Sequence, residues 1–123
     1  MPSFGSALPV YDFSKKLSKT ELLRAVRFCI AAEYEAVQMY TQIADACSDK
    51  QIAEELNSVA NDELVHVGEF IEMIKQISPE EEEFYKKGEK EVIKEAKKKD
   101  DKEDNEETDP ELIRKSRLKE IFK

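Results

Sequence analysis

Residues 52–77 read IAEELNSVANDELVHVGEFIEMIKQI. Within this stretch Ile52, Leu56, Val59, Glu63, His66, Phe70, Met73 and Ile77 follow one another at alternating steps of four and three. Such steps keep side chains on one face of an α-helix, whose period is 3.6 residues. The two polar members, Glu63 and His66, fall at the midpoint, where a core hydrophobe belongs. The same rhythm runs upstream through Leu22, Val26, Cys29, Glu33, Ala36, Tyr40, Ile43 and Cys47, with acidic Glu33 at its midpoint. Paired stripes of this spacing drive long antiparallel helices together. The sequence therefore predicts an all-α fold built on an antiparallel two-helix hairpin.

Helix ends are marked by Ser-x-x-Glu/Gln capping boxes: Ser18 to Glu21, Ser48 to Gln51 and Ser78 to Glu81. Pro79 takes the favoured first position of the third helix. The expected helices are 19–46, 49–76 and 79–98, with a domain over 18–98. The third is shorter and carries only a thin stripe of Phe84, Gly88, Val92 and Ile93 among Glu and Lys. Residues 1–17, with Pro2, Gly5 and Pro9, read as an extended N-terminal arm. Residues 99–109 are almost all Lys, Asp and Glu and read as a charged disordered linker. Residues 110–123 form a short basic amphipathic tail, either a docking segment or an extra helix on its own domain.

Composition narrows the function. The 123 residues are 39% charged with a formal net charge of -8. Phosphate binding needs a basic face, so nucleic acid is not an expected partner, whereas cations are. No run approaches the ~18 apolar residues of a membrane span, so no membrane is expected either. No charged-then-apolar leader pattern opens the chain. A phosphate-cradling glycine loop is missing. The two cysteines, Cys29 and Cys47, sit on one expected helix roughly 27 Å apart, too far for a bridge. They read as thiols of a reducing, cytoplasmic compartment.

Glu33 and Glu63 each lie fifteen residues from Ser48 at the hairpin turn. Equal distances put both carboxylates at one height, about 22 Å up. His66, three residues after Glu63, projects from the same face. Buried unpaired, each charge loses several kcal/mol, comparable with the stability of a small domain. The seam offers no Lys or Arg at that height, so a metal ion is the natural compensation. Carboxylate and imidazole suit iron, with manganese or zinc as substitutes. A lone core histidine is the plain alternative. Di-iron bundles use one Glu from each of two helices and a Glu-x-x-His from each of two others. This chain has half of that set, and a second copy across a two-fold axis supplies the rest. The expectation is a homodimer closing a four-helix bundle around a shared site.

Ala32-Glu33-Tyr34-Glu35-Ala36-Val37-Gln38-Met39-Tyr40, followed by Asp62-Glu63-Leu64-Val65-His66, resembles the encapsulated ferritins. The resemblance covers roughly residues 19–98 and includes the thirty-residue gap between Glu33 and Glu63. It implies a ferritin-like fold and a ferroxidase oxidising Fe(II) with oxygen at a di-iron centre between two chains. By the same resemblance Glu33, Glu63 and His66 are the metal ligands and catalytic residues. Tyr40 would hydrogen-bond a ligand, and Glu35 would lie on the path by which metal arrives. The implied assembly is a ring of dimers (decamer-like) inside a cytoplasmic encapsulin nanocompartment, whose shell protein is the partner and stores the iron. Met39 stands where the family commonly has an aromatic residue, and the tail lacks the glycine of short shell-targeting peptides. Two rival readings remain: a rubrerythrin-like peroxidase, without the Cys-x-x-Cys that usually accompanies it, and a non-enzymatic helical-hairpin interaction module.

Overall fold

A computed structural model describes residues 14–100 and 109–122. Its helices are α1 (Lys19–Ala46), α2 (Lys50–Ile77), α3 (Pro79–Asp100) and α4 (Pro110–Ile121). The chain divides at Glu80 into two compact units, one holding the α1–α2 hairpin and the other most of α3 with α4. The described residues form helices and turns, as an all-α fold requires.

Capping chemistry sets the hairpin's ends. The Ser18 hydroxyl accepts from the Glu21 N–H, and the Ser18 N–H donates to the Glu21 carboxylate, both at 3.2 Å. These bonds satisfy two groups that an open helix start leaves unpaired. The α2 cap differs from expectation by one residue. Asp49, not Ser48, is the N-cap, and its carboxylate accepts from the Ile52 N–H at 3.1 Å. Aspartate caps at least as well as serine and adds a charge at the positive helix end. Cys47 closes α1, so Ser48 remains the middle of the turn.

The interior of the hairpin is offset from the expected stripe. Its buried residues are Val26, Ala44, Ala60, Val67 and Ile74. On α2 these recur every seven residues, and each stands one position beyond a member of the predicted seam: Val59, His66 and Met73. On α1 Ala44 likewise follows Ile43, whereas Val26 lies on the predicted seam itself. Small Ala44 and Ala60 share this buried line with Val67 and Ile74. The larger Ile43, Ile52, Val59 and Met73 are left exposed on the flank. Val26, Val67 and Ile74 each contribute on the order of 1.5–3 kcal/mol by burial.

Pro79 opens α3, as its fixed φ favours, and the second unit takes up the rest of that helix from Glu81. Helix α3 runs on to Asp100, past the expected end at 98. The remainder of the charged run, 101–108, lies outside the described residues, as do arm residues 1–13. The basic tail is a helix: Asp109 caps it, accepting from the Glu111 N–H at 2.9 Å, and Pro110 takes the first turn. Ala96 of α3 and Ile113 of α4 are the buried apolar residues of this unit.

Candidate metal centre

Glu33 comes from the middle of α1, and Glu63 and His66 from the middle of α2. Because the turn centres on Ser48, the two carboxylates meet at one height. The three side chains offer ligand atoms that all lie within 4.8 Å of one another. His66 Nδ1 is 3.5 Å from the Glu63 carboxylate and 3.7 Å from that of Glu33. These spacings are long for N–H···O hydrogen bonds, and the ring faces both carboxylates. The i,i+3 step fixes His66 beside Glu63, and the hairpin register brings Glu33 across to both.

The site is open on one side. The Glu33 and Glu63 side chains are 20% and 19% exposed, whereas the His66 ring is 45% exposed. Sequence reasoning expected all three on a buried seam. The offset of the hairpin interior explains the difference: Val67, not His66, points between the helices. Along the same flank run the exposed Leu22, Ile43, Ile52, Val59 and Met73. A polar triad thus sits in the middle of a hairpin flank whose large apolar residues are exposed.

Its electrostatics fit a cation. Hydrogen bonding to the Glu63 carboxyl, burial and repulsion from that second negative charge raise the Glu33 carboxyl above its ordinary value, against the opposing pull of His66. Burial pushes the His66 imidazole down, but the nearby Glu63 and Glu33, with Glu69 beyond them, outweigh it, and the net shift is upward. Two carboxylates and an imidazole are a donor set for iron, manganese or zinc. Three protein ligands leave coordination positions open.

Other residues singled out in the sequence fall elsewhere. Tyr40, partly exposed, follows Glu33 by seven residues, so it shares that face about 10.5 Å along the axis. Glu35, partly buried, is two residues from Glu33 and therefore projects to a different side of α1. Glu69 was not anticipated, although its position three residues after His66 was a readable signal. Cys29 and Cys47 are free thiols, as their spacing required.

Comparisons with known proteins place the chain among ferritin-like proteins. The family model for rubrerythrin matches residues 25–121. A ferritin-like–encapsulin shell fusion protein of Pyrococcus furiosus is 36% identical over 78 residues, covering 63% of this chain and 23% of that protein. The encapsulin nanocompartment cargo protein EncC of Myxococcus xanthus is 33% identical over 67 residues, covering 54% of this chain and 52% of that one. The chain therefore spans only a quarter to a half of these relatives. The crystal structure of the encapsulated ferritin domain from Pyrococcus furiosus superposes with a TM-score of 0.66 at 31% identity. That match covers 74% of this chain and 93% of the domain.

Proposed function

The chain belongs to the rubrerythrin family, and on that premise we propose that it is a ferroxidase acting within an encapsulin nanocompartment. The observation that carries this reading is the Glu33–Glu63–His66 cluster at the centre of an uncovered apolar flank. A second copy related by a two-fold axis would cover the flank and double the ligands to four carboxylates and two imidazoles. Burial of Leu22, Ile43, Ile52, Val59 and Met73 against their counterparts would drive that pairing, and His66 would lose its exposure in it.

In this reading Fe(II) is the substrate and dioxygen the electron acceptor. Glu33, Glu63 and His66 would hold the metal, with the carboxylates favouring the higher charge of Fe(III). Both carboxylates must be ionised to bind, so Glu33 gives up the proton that its neighbour encourages it to keep. His66 likewise binds as the neutral ring, losing a proton that the carboxylates favour. Glu69, near His66, would offer that proton a route outward. Tyr40 would steady a ligand, and Glu35 would guide incoming cations.

The relatives named as shell-fused or shell-enclosed proteins support an encapsulin shell as partner and a nanocompartment in the cytoplasm as location. A ring of dimers is the proposed assembly. No described helix is long and apolar enough to cross a membrane. Oxygen uptake on adding Fe(II) tests the reaction, with Glu33→Ala and His66→Ala as controls. The ferroxidase reading requires rapid uptake by the wild type and its loss in both variants. Uptake unaffected by either substitution refutes it. Turnover of hydrogen peroxide in preference to dioxygen would favour the peroxidase instead.

A further inference from the structure

The α3–α4 unit has a surface that the metal centre leaves unused. Residues Val92, Ile93 and Ala96 of α3 and Ile113, Leu118 and Ile121 of α4 line an open cavity of about 600 Å³. Val92, Leu118 and Ile121 are among the exposed large hydrophobics of the chain. An open groove floored by exposed apolar side chains is a surface on which a partner can bury area. Helices of 22 and 12 residues sharing two buried residues are also too small to hold their arrangement unaided. The groove is therefore a docking surface in want of an occupant.

The charges on its walls say what. Every charged residue on the α3 wall is acidic, Glu89 and Glu95, and every one on the α4 wall is basic, Arg114 and Arg117. Arg114 pairs with Glu89 across the groove at 3.3 Å, so these two stand at one height on opposite walls. A second copy can meet the groove face to face around a two-fold axis in two ways. With the axis across the helices, α3 lies over α3 and like charges confront each other. With the axis along the groove, α3 of each copy lies over α4 of the other, and heights are preserved. That second arrangement sets each Glu89 over the opposing Arg114, which makes a closed box of four alternating charges. It also presses the exposed apolar residues of each floor into the other's cavity.

We propose that the α3–α4 groove is a homotypic docking surface, closed by the same groove of a second copy with α3 against α4. This contact is independent of the metal and uses residues outside the α1–α2 flank. It would give each chain two association faces, one through the metal centre and one through the groove.

Sedimentation velocity on the full chain tests this with a charge swap. Glu89→Arg alone and Arg114→Glu alone each confront like charges across the proposed contact. Each is expected to self-associate through the groove roughly tenfold more weakly than the wild type. A mixture of the two variants restores opposite charges between copies, though not within either one. Its association should return toward the wild-type level. Association through the hairpin flank is common to all samples, so a gain on mixing reports the groove alone. Helical circular dichroism confirms that each variant is folded, which two exposed positions should permit. Ile121→Glu, at an exposed floor position, should weaken association whether or not chains are mixed. A mixture that sediments like its separate components overturns the proposal, as does an Ile121→Glu chain that sediments like the wild type.

Discussion

Ile74 and Met73 are neighbours on α2 whose roles the sequence pattern and the structure assign oppositely. The four-three stripe puts Met73 on the packing seam, whereas the fold buries Ile74 to 1% exposure and leaves Met73 at 45%. Ile74→Ala removes three carbons from the hairpin interior. At ~0.8 kcal/mol per buried carbon, plus the cavity left between two helices, the cost is about 3 kcal/mol. Met73→Ala removes a side chain of similar size that keeps about half of its contact with water. Its cost is about 1 kcal/mol, reduced further by the higher helix propensity of alanine. Urea unfolding followed by circular dichroism should show the difference directly. For a chain of this size the Ile74 variant should melt on the order of 10 °C lower. The two variants should also differ in concentration dependence. Ile74 packs within one chain, so its cost should be constant between micromolar and hundreds of micromolar protein. Met73 lies on the flank proposed to meet a second copy, so its cost should grow as chains associate. Equal costs for the two substitutions at low concentration would refute the offset interior on which the exposed site depends.

Cap chemistry predicts that Asp49→Ala destabilises the chain by about 1 kcal/mol while Ser48→Ala is nearly neutral, a contrast that thermal melts of the two variants resolve. Zinc, a redox-silent stand-in for iron, should raise the melting temperature by on the order of 10 °C at a hundred times its dissociation constant, and His66→Ala should abolish the rise. The site also predicts a pH trend in metal-free protein. The folded-state values of both Glu33 and His66 are raised, so both stabilising contributions are present at low pH. Glu33 loses its contribution as pH climbs from 4.5 through its raised value, and His66 loses its own as pH climbs from 6.5 through its raised value. Urea midpoints in chelator should therefore fall across those windows, and Glu33→Gln should flatten the lower one. Metal affinity should run the other way and strengthen with pH, because protons compete for the same atoms. Calorimetric titrations in buffers of different ionisation enthalpy measure that proton release.

Much of this protein was legible in the order of its residues. The span of α1 follows from Ser18 and Glu21, whose reciprocal bonds are local. The meeting of Glu33 with Glu63 follows from counting fifteen residues either way from Ser48, since helix rise is constant and a short turn forces antiparallel return. The pairing of Glu63 with His66 needs only the i,i+3 step. Tertiary structure alone decided which edge of the broad α2 apolar face turns inward. On α2 the stripe Val59, His66, Met73 and the stripe Ala60, Val67, Ile74, one position apart, satisfy the same helical period. Choosing between them depends on how the two helices pack, and the fold buries Ala44 and Ala60 while leaving Ile43 and Val59 exposed. That choice turns His66 outward and leaves the Glu33–Glu63–His66 cluster facing solvent on one side. The groove between α3 and α4 was likewise unreadable, because its two walls come from segments separated by a charged run that has no periodicity of its own.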